Sequence, residues 1–286
     1  MNRTIPGLLL AAGWLTLLLE GSSLLFFIVM IGISVSCAYE FVRMSMGQNL
    51  SLPEQIYLVL SIALPVFFSS GVIEALTPGD GLVFSFLLIT LYVIFRYARF
   101  TEPYQVMTRL GFGLPYIGFL AAYLVKLRYI PQGGAWIVVL TAITAASDTG
   151  AYLAGSRFGT RKLCPAISPK KTVEGAVGGV LSAVAAALIV EPILFDHINW
   201  MFIVIAAVIL SCVGMFGDLV ESVVKRGSGV KDSGSILRGH GGVLDRIDSI
   251  LIAGPVFYYM LRIAGIASNR IPYSAPPVPL VRRWWR

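Results

Sequence analysis

Between residues 5 and 265 the chain is a succession of apolar runs, interrupted by short stretches in which charges, glycines and prolines collect. No other feature restricts the fold as much, because a bilayer-spanning helix needs roughly 20 mostly apolar residues. Nine runs approach or reach that length, near 5–19, 23–39, 56–75, 81–97, 111–127, 133–154, 175–191, 199–217 and 246–265. The expected fold is therefore all-α: a polytopic integral membrane helical bundle with about nine transmembrane helices. The first run is short and closely followed by the second, so that pair also reads as one kinked hairpin or an interfacial segment. Composition excludes the other classes. Residues of the AVILMFWYC set make up 57% of the chain and charged residues 13%, with a mean hydropathy of +0.81. A soluble domain carries about 45–50% apolar and about 25% charged residues, and a disordered chain needs low hydrophobicity and dense charge.

Charge gives the bundle an orientation. With the N-terminus in the cytoplasm, Arg3, Arg43, the loop of Arg96, Arg99 and Arg109, the 156–174 loop and the 218–246 stretch all fall inside. That collects 15 of the 22 Lys and Arg residues. Apart from the tail, the outer loops then hold only Lys126 and Arg128, as the positive-inside rule requires. The C-terminus is the misfit, since Arg262, Arg270, Arg282, Arg283 and Arg286 lie outside if all nine runs span. Its closing Arg-Trp-Trp-Arg suits an interfacial anchor. The net charge of +7 fits loops facing anionic membrane lipids, and no nucleic acid is expected as a partner. Arg3 ahead of an apolar run superficially resembles a signal peptide, but no small-residue cleavage site precedes a soluble stretch, so it reads as a membrane segment. Cys37, Cys164 and Cys212 have no paired spacing, which argues against a disulfide framework or a zinc site. The organisation expected is N-terminal transmembrane helices over 1–110, a catalytic membrane domain over 111–268 and a C-terminal tail over 269–286. Compact length and the lack of a hydrophilic N-terminal extension favour a bacterial inner (plasma) membrane.

Acidic residues locate the chemistry. Of 15 Asp and Glu residues, five fall within 218–248: Asp218, Glu221, Asp232, Asp245 and Asp248. The same window holds Lys225, Arg226, Lys231, Arg238 and Arg246, with eight glycines from Gly214 to Gly242. A charge at membrane depth costs at least about 2.5–3.5 kcal/mol, so such residues usually serve a site. If the eighth helix runs on through Arg226, then Asp218, Glu221, Ser222 and Lys225 share one face. Asp245 and Asp248 share a face at the start of the ninth. Asp218, Asp245 and Asp248 are therefore candidate ligands of one or two hard cations, and magnesium takes one or two carboxylates while leaving room for phosphate oxygens. Between the helices, the glycines around Lys231-Asp232 and in Gly239-His-Gly-Gly242 let backbone NH groups approach a phosphate, with Lys225, Arg226 and Lys231 as countercharge. A solvated, flexible loop carrying positive-inside lysines is the competing reading. His240 is as well suited to stabilising a turn as to binding.

A second polar block covers 148–175. Asp148 is an acid inside an apolar run, a site candidate on that ground alone. The segment 168–174 reads as a basic loop leading through Thr172 into a new helix, where backbone NH groups beside Lys170 and Lys171 suit an anion. A positive-inside loop capped by Thr172 is the plainer alternative. Glycines in 175–179 suit close helix packing better than a nucleotide fingerprint. No GxxxxGK[ST] motif and no Ser-His-Asp or Cys-His set is present, which disfavours a P-loop ATPase or a covalent acyl-enzyme.

These two blocks resemble the signature of the phosphatidate cytidylyltransferases, also called CDP-diacylglycerol synthases. The C-terminal part of that signature is matched by Ser222, Lys225-Arg226, Lys231-Asp232, His240-Gly241-Gly242 and Asp245-Arg246-Ile247-Asp248. The upstream part is matched by Asp148-Thr-Gly-Ala-Tyr152, Gly155, Phe158-Gly159, Ser168-Pro-Lys170 and Lys171-Thr-Val-Glu-Gly175. One departure is Arg238, where the family usually has proline before Gly-His-Gly-Gly. The resemblance implies the reaction CTP + phosphatidate → CDP-diacylglycerol + pyrophosphate, in a membrane enzyme with a cytoplasm-facing polar cavity, a homodimer dependent on magnesium and a second cation such as potassium. It implies a catalytic set of Asp218, Ser222, Lys225, Asp245 and Asp248, with the three aspartates holding metal against the CTP phosphates. Asp148, Ser168, Lys170, Lys171, Arg226, Lys231, Asp232, His240, Gly241, Gly242 and Arg246 would contact nucleotide or the phosphatidate headgroup. The competing functions are a related enzyme using CTP on another lipid phosphate, an ion or phosphate transporter, and a non-catalytic membrane scaffold.

Overall fold

In lipid, every backbone NH and C=O must be satisfied within the protein, which leaves helices as the way to fold uninterrupted apolar runs. The computed structural model describes residues 4–47, 50–69, 76–197, 199–234, 236 and 241–267. Among the described residues each of the nine apolar runs lies wholly or largely on helix; the run at 56–75 is helical to Phe67, and 70–75 lie outside the described residues. The helices are α1 (Thr4–Leu19), α2 (Ser23–Met46), α3 (Leu52–Phe67), α4 (Pro78–Phe95), α5 (Pro103–Gly113), α6 (Leu120–Arg128), α7 (Gly133–Phe158), α8 (Val173–Leu194), α9 (Trp200–Gly227) and α10 (Leu244–Ile263). A π-helical turn, Leu114–Phe119, joins α5 to α6. Pro115 has no NH to donate there and its ring crowds the preceding turn, the usual cause of such a widening. Residue 110, the expected end of the N-terminal helices, lies within α5.

Several of the helix starts coincide with capping residues. The Ser22 side chain accepts from Leu25 N at 3.1 Å and Thr172 accepts from Gly175 N at 3.1 Å. Ser51 with Glu54, and Thr77 with Asp80, form capping boxes. Six helical stretches are long and apolar enough to cross a membrane among the described residues: Ser23–Met46, Pro78–Phe95, Pro103–Arg128, Gly133–Phe158, Val173–Leu194 and Trp200–Gly227. Large apolar side chains face outward along them, as on α4, where Val83, Phe84, Phe86, Leu87, Leu91, Ile94 and Phe95 are exposed. In water so much contiguous apolar surface would drive association, whereas lipid tails accept it. The chain is an integral membrane protein. Fully buried Phe26, Phe41, Leu58, Ile62, Leu114, Ile117, Leu127 and Phe257 form the interior where α2, α3, α6 and α10 meet.

Two features of the fold position the polar blocks. First, α7 and α8 pack on a seam of small residues. A methyl on Gly150 would overlap Ser182 of α8, one on Gly178 would overlap Ala154 of α7, and one on Gly175 would fall 2.8 Å from the Ala151 carbonyl. Glycines 175–179 thus serve helix contact. Second, the basic segment between these helices is a short antiparallel hairpin, β1 (Lys162–Cys164) with β2 (Ser168–Thr172), and no other strands occur among the described residues. A loop was the expectation there. The hairpin is fixed from outside itself: the Glu174 carboxylate accepts from Thr160 Oγ1 at 2.6 Å and from the Thr160 and Arg161 amides at 3.1 and 3.2 Å.

Candidate active site

Helices α9 and α10 cross closely because glycine stands at the crossing. A Cβ on Gly217 would lie 2.8 Å from the Asp248 carbonyl and 3.3 Å from Ser249 Cα. Helix α9 continues ten residues past the end of its apolar run, to Gly227, so Asp218 and Glu221 sit just beyond the crossing, opposite Asp248. Carboxylate oxygens of Asp218, Glu221 and Asp248 all lie within 4.8 Å of one another. Glu221 is 1% and Asp248 8% exposed, whereas Asp218 is partly open.

Two lysines hold this acidic group together. Lys171 Nζ pairs with Asp218 Oδ2 at 2.7 Å and also donates to the Met215 carbonyl at 3.3 Å. The hairpin strand β2 is what carries Lys171 across to α9. Lys225 Nζ donates to Glu221 Oε2 at 2.6 Å and to Asp245 Oδ1 at 2.8 Å, with its side chain 15% exposed. Ser222 Oγ lies 3.5 Å from Asp218 Oδ1, and the Ser249 amide donates to Asp248 Oδ1 at 2.7 Å. Asp148, exposed on α7, is near enough to interact electrostatically with Asp218 and Lys171.

Asp245 lies beside Glu221 but is not one of the three converging acids. Its carboxylate pairs with Lys225 and accepts from the Ser233 amide at 3.1 Å and the Gly242 amide at 2.9 Å. It therefore ties the glycine-rich loop to the start of α10. Gly241 beside it has φ +82, a left-handed conformation that glycine adopts without strain, and a Cβ there would sit 3.1 Å from Asp245 Oδ2. Ser168 is half-buried at the start of β2, while Lys170, Arg226, Lys231, Asp232 and Arg246 are exposed. His240 and Arg238 fall outside the described residues.

Two acids were underrated by sequence reasoning. Glu221 shares the face of Asp218 but reads equally well as the i, i+4 partner of Lys225. It is that partner, yet only through Oε2; its Oε1 is buried with no hydrogen-bond partner among the described residues. Glu40, just past the apolar run at 23–39 and still on α2, is 2% exposed and accepts from Val243 N, Leu244 N and Ser233 Oγ at 3.0, 3.0 and 3.2 Å. The signal that finds it is its charge within an apolar helix.

Chemically the arrangement is a set of hard oxygen donors beside two paired lysines, Lys171 and Lys225. Such donors suit a divalent cation of the magnesium class, which retains open positions for phosphate oxygens. Glu221 Oε1 is the oxygen whose burial without a partner such an ion would relieve.

Comparison with known proteins bears on the whole chain. The model for the Cytidylyltransferase family matches residues 1–264. The Phosphatidate cytidylyltransferase of Bacillus subtilis (strain 168) is 35% identical over 263 residues, covering 91% of this chain and 97% of that protein. The Phosphatidate cytidylyltransferase of Staphylococcus saprophyticus is 34% identical over 261 residues, 91% of this chain and 98% of that protein. Uncharacterized protein YnbB of Escherichia coli (strain K12) is 46% identical over a shorter 132 residues, 46% of this chain and 44% of that protein.

Proposed function

The chain belongs to the cytidylyltransferase family, and we propose that it is a phosphatidate cytidylyltransferase of phospholipid biosynthesis, converting CTP and phosphatidate to CDP-diacylglycerol and pyrophosphate. The observation that carries this reading is the carboxylate triad Asp218, Glu221 and Asp248 at the α9–α10 crossing, flanked by Lys171 and Lys225. Its identity to phosphatidate cytidylyltransferases over nine-tenths of the chain supports the choice of lipid substrate.

In this reaction a phosphate oxygen of the lipid attacks the α-phosphorus of CTP, and the bond to the β-phosphate breaks to release pyrophosphate. The lipid phosphate is already ionised near neutral pH, so the protein need not supply a strong base. Its work is positioning and charge stabilisation. Asp218, Glu221 and Asp248 would hold magnesium, which when bound neutralises triphosphate charge and orients it. Potassium or a similar ion is proposed as the second cation. Lys171, released from Asp218 as nucleotide arrives, is placed to meet phosphate oxygens, and exposed Lys170, Arg226 and Lys231 supply further positive charge around the leaving pyrophosphate. Ser168, Ser222, Asp148, Asp232, His240, Gly241, Gly242 and Arg246 are proposed to shape the nucleotide and headgroup subsites. Asp245 contributes by fixing Lys225 and the Gly242 amide rather than by an open carboxylate.

The lipid is proposed to arrive sideways from the bilayer. An apolar groove of about 310 Å³ runs between α2 and α3, lined by Val35, Ile56, Val59 and Leu60. A more polar pocket of about 250 Å³ lies beyond it, lined by Arg43, Asp232 and Ser233, and the two share Tyr39 and Ile236. This continuity supports an acyl chain in the groove with its phosphate directed past Arg43 toward the loop that Asp245 holds. We further propose that all nine apolar segments cross, that the polar cavity faces the cytoplasm of a bacterial inner membrane, and that the protein is a homodimer. The experiment is turnover by purified protein in detergent with magnesium and CTP across a panel of lipid phosphates. Pyrophosphate release is expected with phosphatidate. Release with a polyprenyl phosphate instead would move the function to another lipid, and release with none would overturn it.

A further inference from the structure

Helix α10 begins without a cap of its own. Val243 stands at the N-cap position and offers no side-chain oxygen, yet the first amides of this helix are satisfied. The Gly242 amide is taken by Asp245. The next two are taken from another part of the chain: Glu40 Oε1 accepts from Val243 N at 3.0 Å, and Glu40 Oε2 accepts from Leu244 N at 3.0 Å. Glu40 Oε2 also accepts from Ser233 Oγ at 3.2 Å, while the Ser233 amide donates to Asp245. One buried carboxylate on α2 therefore pins both the loop before α10 and the first turn of α10. Glycines let it do so, since a Cβ on Gly234 would lie 2.5 Å from Glu40 Oε1 and one on Gly242 2.6 Å from Oε2.

A charge buried in an apolar helix is expensive, and a neutral cap would satisfy backbone amides at less cost. What the charged, two-oxygen group adds is geometry. It fixes two successive amides and the loop hydroxyl at once, one turn before Asp248. We propose that Glu40 is a positioning residue of the active site: with both carboxylate oxygens engaged by Val243 N, Leu244 N and Ser233 Oγ, it caps α10 from α2 and so sets where Asp248 stands relative to Asp218 and Glu221, and where Asp245 stands relative to Lys225. A corollary is that the N-terminus of α10 is filled by protein carboxylates, so the triphosphate is held by side-chain cations and metal rather than by that helix end.

As a statement about turnover this rests on the cytidylyltransferase reading; as a statement about cation affinity it does not. The test is a manganese titration of detergent-solubilised, nucleotide-free protein followed by electron paramagnetic resonance, alongside kcat and KM for CTP and phosphatidate. Removing an outer partner of a metal ligand typically weakens metal affinity or activity by about 10–100-fold. Glu40→Gln is expected to weaken manganese binding at least about tenfold and to lower kcat, with Glu40→Asp recovering part of both. A role in folding alone would reduce the yield of folded protein but leave the affinity and kcat of the folded fraction unchanged, and that result overturns the proposal. Should Glu40→Gln fail to fold, Glu40→Asp decides, since it keeps the charge but shortens the reach to the Val243 and Leu244 amides: weaker manganese binding supports the proposal and wild-type binding overturns it. If wild-type protein binds manganese but turns over no phosphatidate, the functional reading fails while the comparison of variants still tests Glu40.

Discussion

Replacing Gly217 by alanine is a small change with a calculable consequence. The added Cβ would sit 2.8 Å from the Asp248 carbonyl and 3.3 Å from Ser249 Cα, both belonging to backbone that cannot rotate away. Restoring ordinary contact requires α10 to back off by about 0.6 Å at Asp248. A displacement of roughly 1 Å at reacting groups can cost about a hundredfold in rate, so a loss on the order of tenfold in kcat is expected, or about 1.4 kcal/mol. The magnesium concentration for half-maximal activity should rise with it, because the carboxylate triad is what the shift widens. Overpacking of this kind typically costs about 1–3 kcal/mol, partly offset by about 1 kcal/mol from the better helix propensity of alanine, so the variant should fold. Gly227→Ala is the internal control: among the described residues nothing lies within 4 Å of a Cβ there, and neither rate nor magnesium dependence should change. Pyrophosphate release from purified variants across a magnesium series reads all of this. Wild-type kcat and magnesium dependence in Gly217→Ala would refute the claim that the crossing sets the site geometry.

Lys225→Met should be severe, because it leaves Glu221 and Asp245 facing each other without the cation that bridges them at 2.6 and 2.8 Å. Breaking a buried pair by removing one partner costs about 3–5 kcal/mol, so a large fall in thermal stability in detergent is expected together with loss of turnover. Asp218→Asn should retain the fold, since its carboxylate is partly open, but lose at least about a hundredfold in kcat; a smaller loss would remove it from the cation site. Leu60→Trp should narrow the groove between α2 and α3. The expected result is a several-fold higher KM for long-chain phosphatidate with little change for a short-chain analogue, and equal KM changes for both would argue against acyl chains in that groove.

Much of the fold is legible in the chain because bilayer thickness and hydrogen-bond satisfaction leave apolar runs one solution. Capping residues such as Ser22, Thr77 and Thr172 mark helix starts for the same local reason. The hairpin at 162–172 is not legible, since its strands are basic and short and its base is fixed by Glu174 from the next helix. For the site, sequence reasoning singles out Asp218, Asp245 and Asp248, but which acids meet depends on where α9 and α10 cross. That crossing is set by Gly217 against Asp248, 31 residues apart by chain and adjacent in space. Asp245 and Glu221 differ in what surrounds them: backbone amides reach Asp245, and among the described residues none bonds Glu221 Oε1. Glu40 lies about 200 residues from the amides it caps, a pairing no local pattern encodes.

The central claim is transfer of a cytidylyl group onto a lipid phosphate at the triad of Asp218, Glu221 and Asp248. Its most direct test follows the label from CTP carrying radioactive phosphorus at the α-position, with purified protein, phosphatidate and magnesium in detergent. Label is expected to enter a lipid with the mobility of CDP-diacylglycerol, one pyrophosphate being released per labelled lipid, and Asp248→Asn is expected to abolish both. Unlabelled lipid alongside released pyrophosphate, or undiminished transfer in Asp248→Asn, would contradict it.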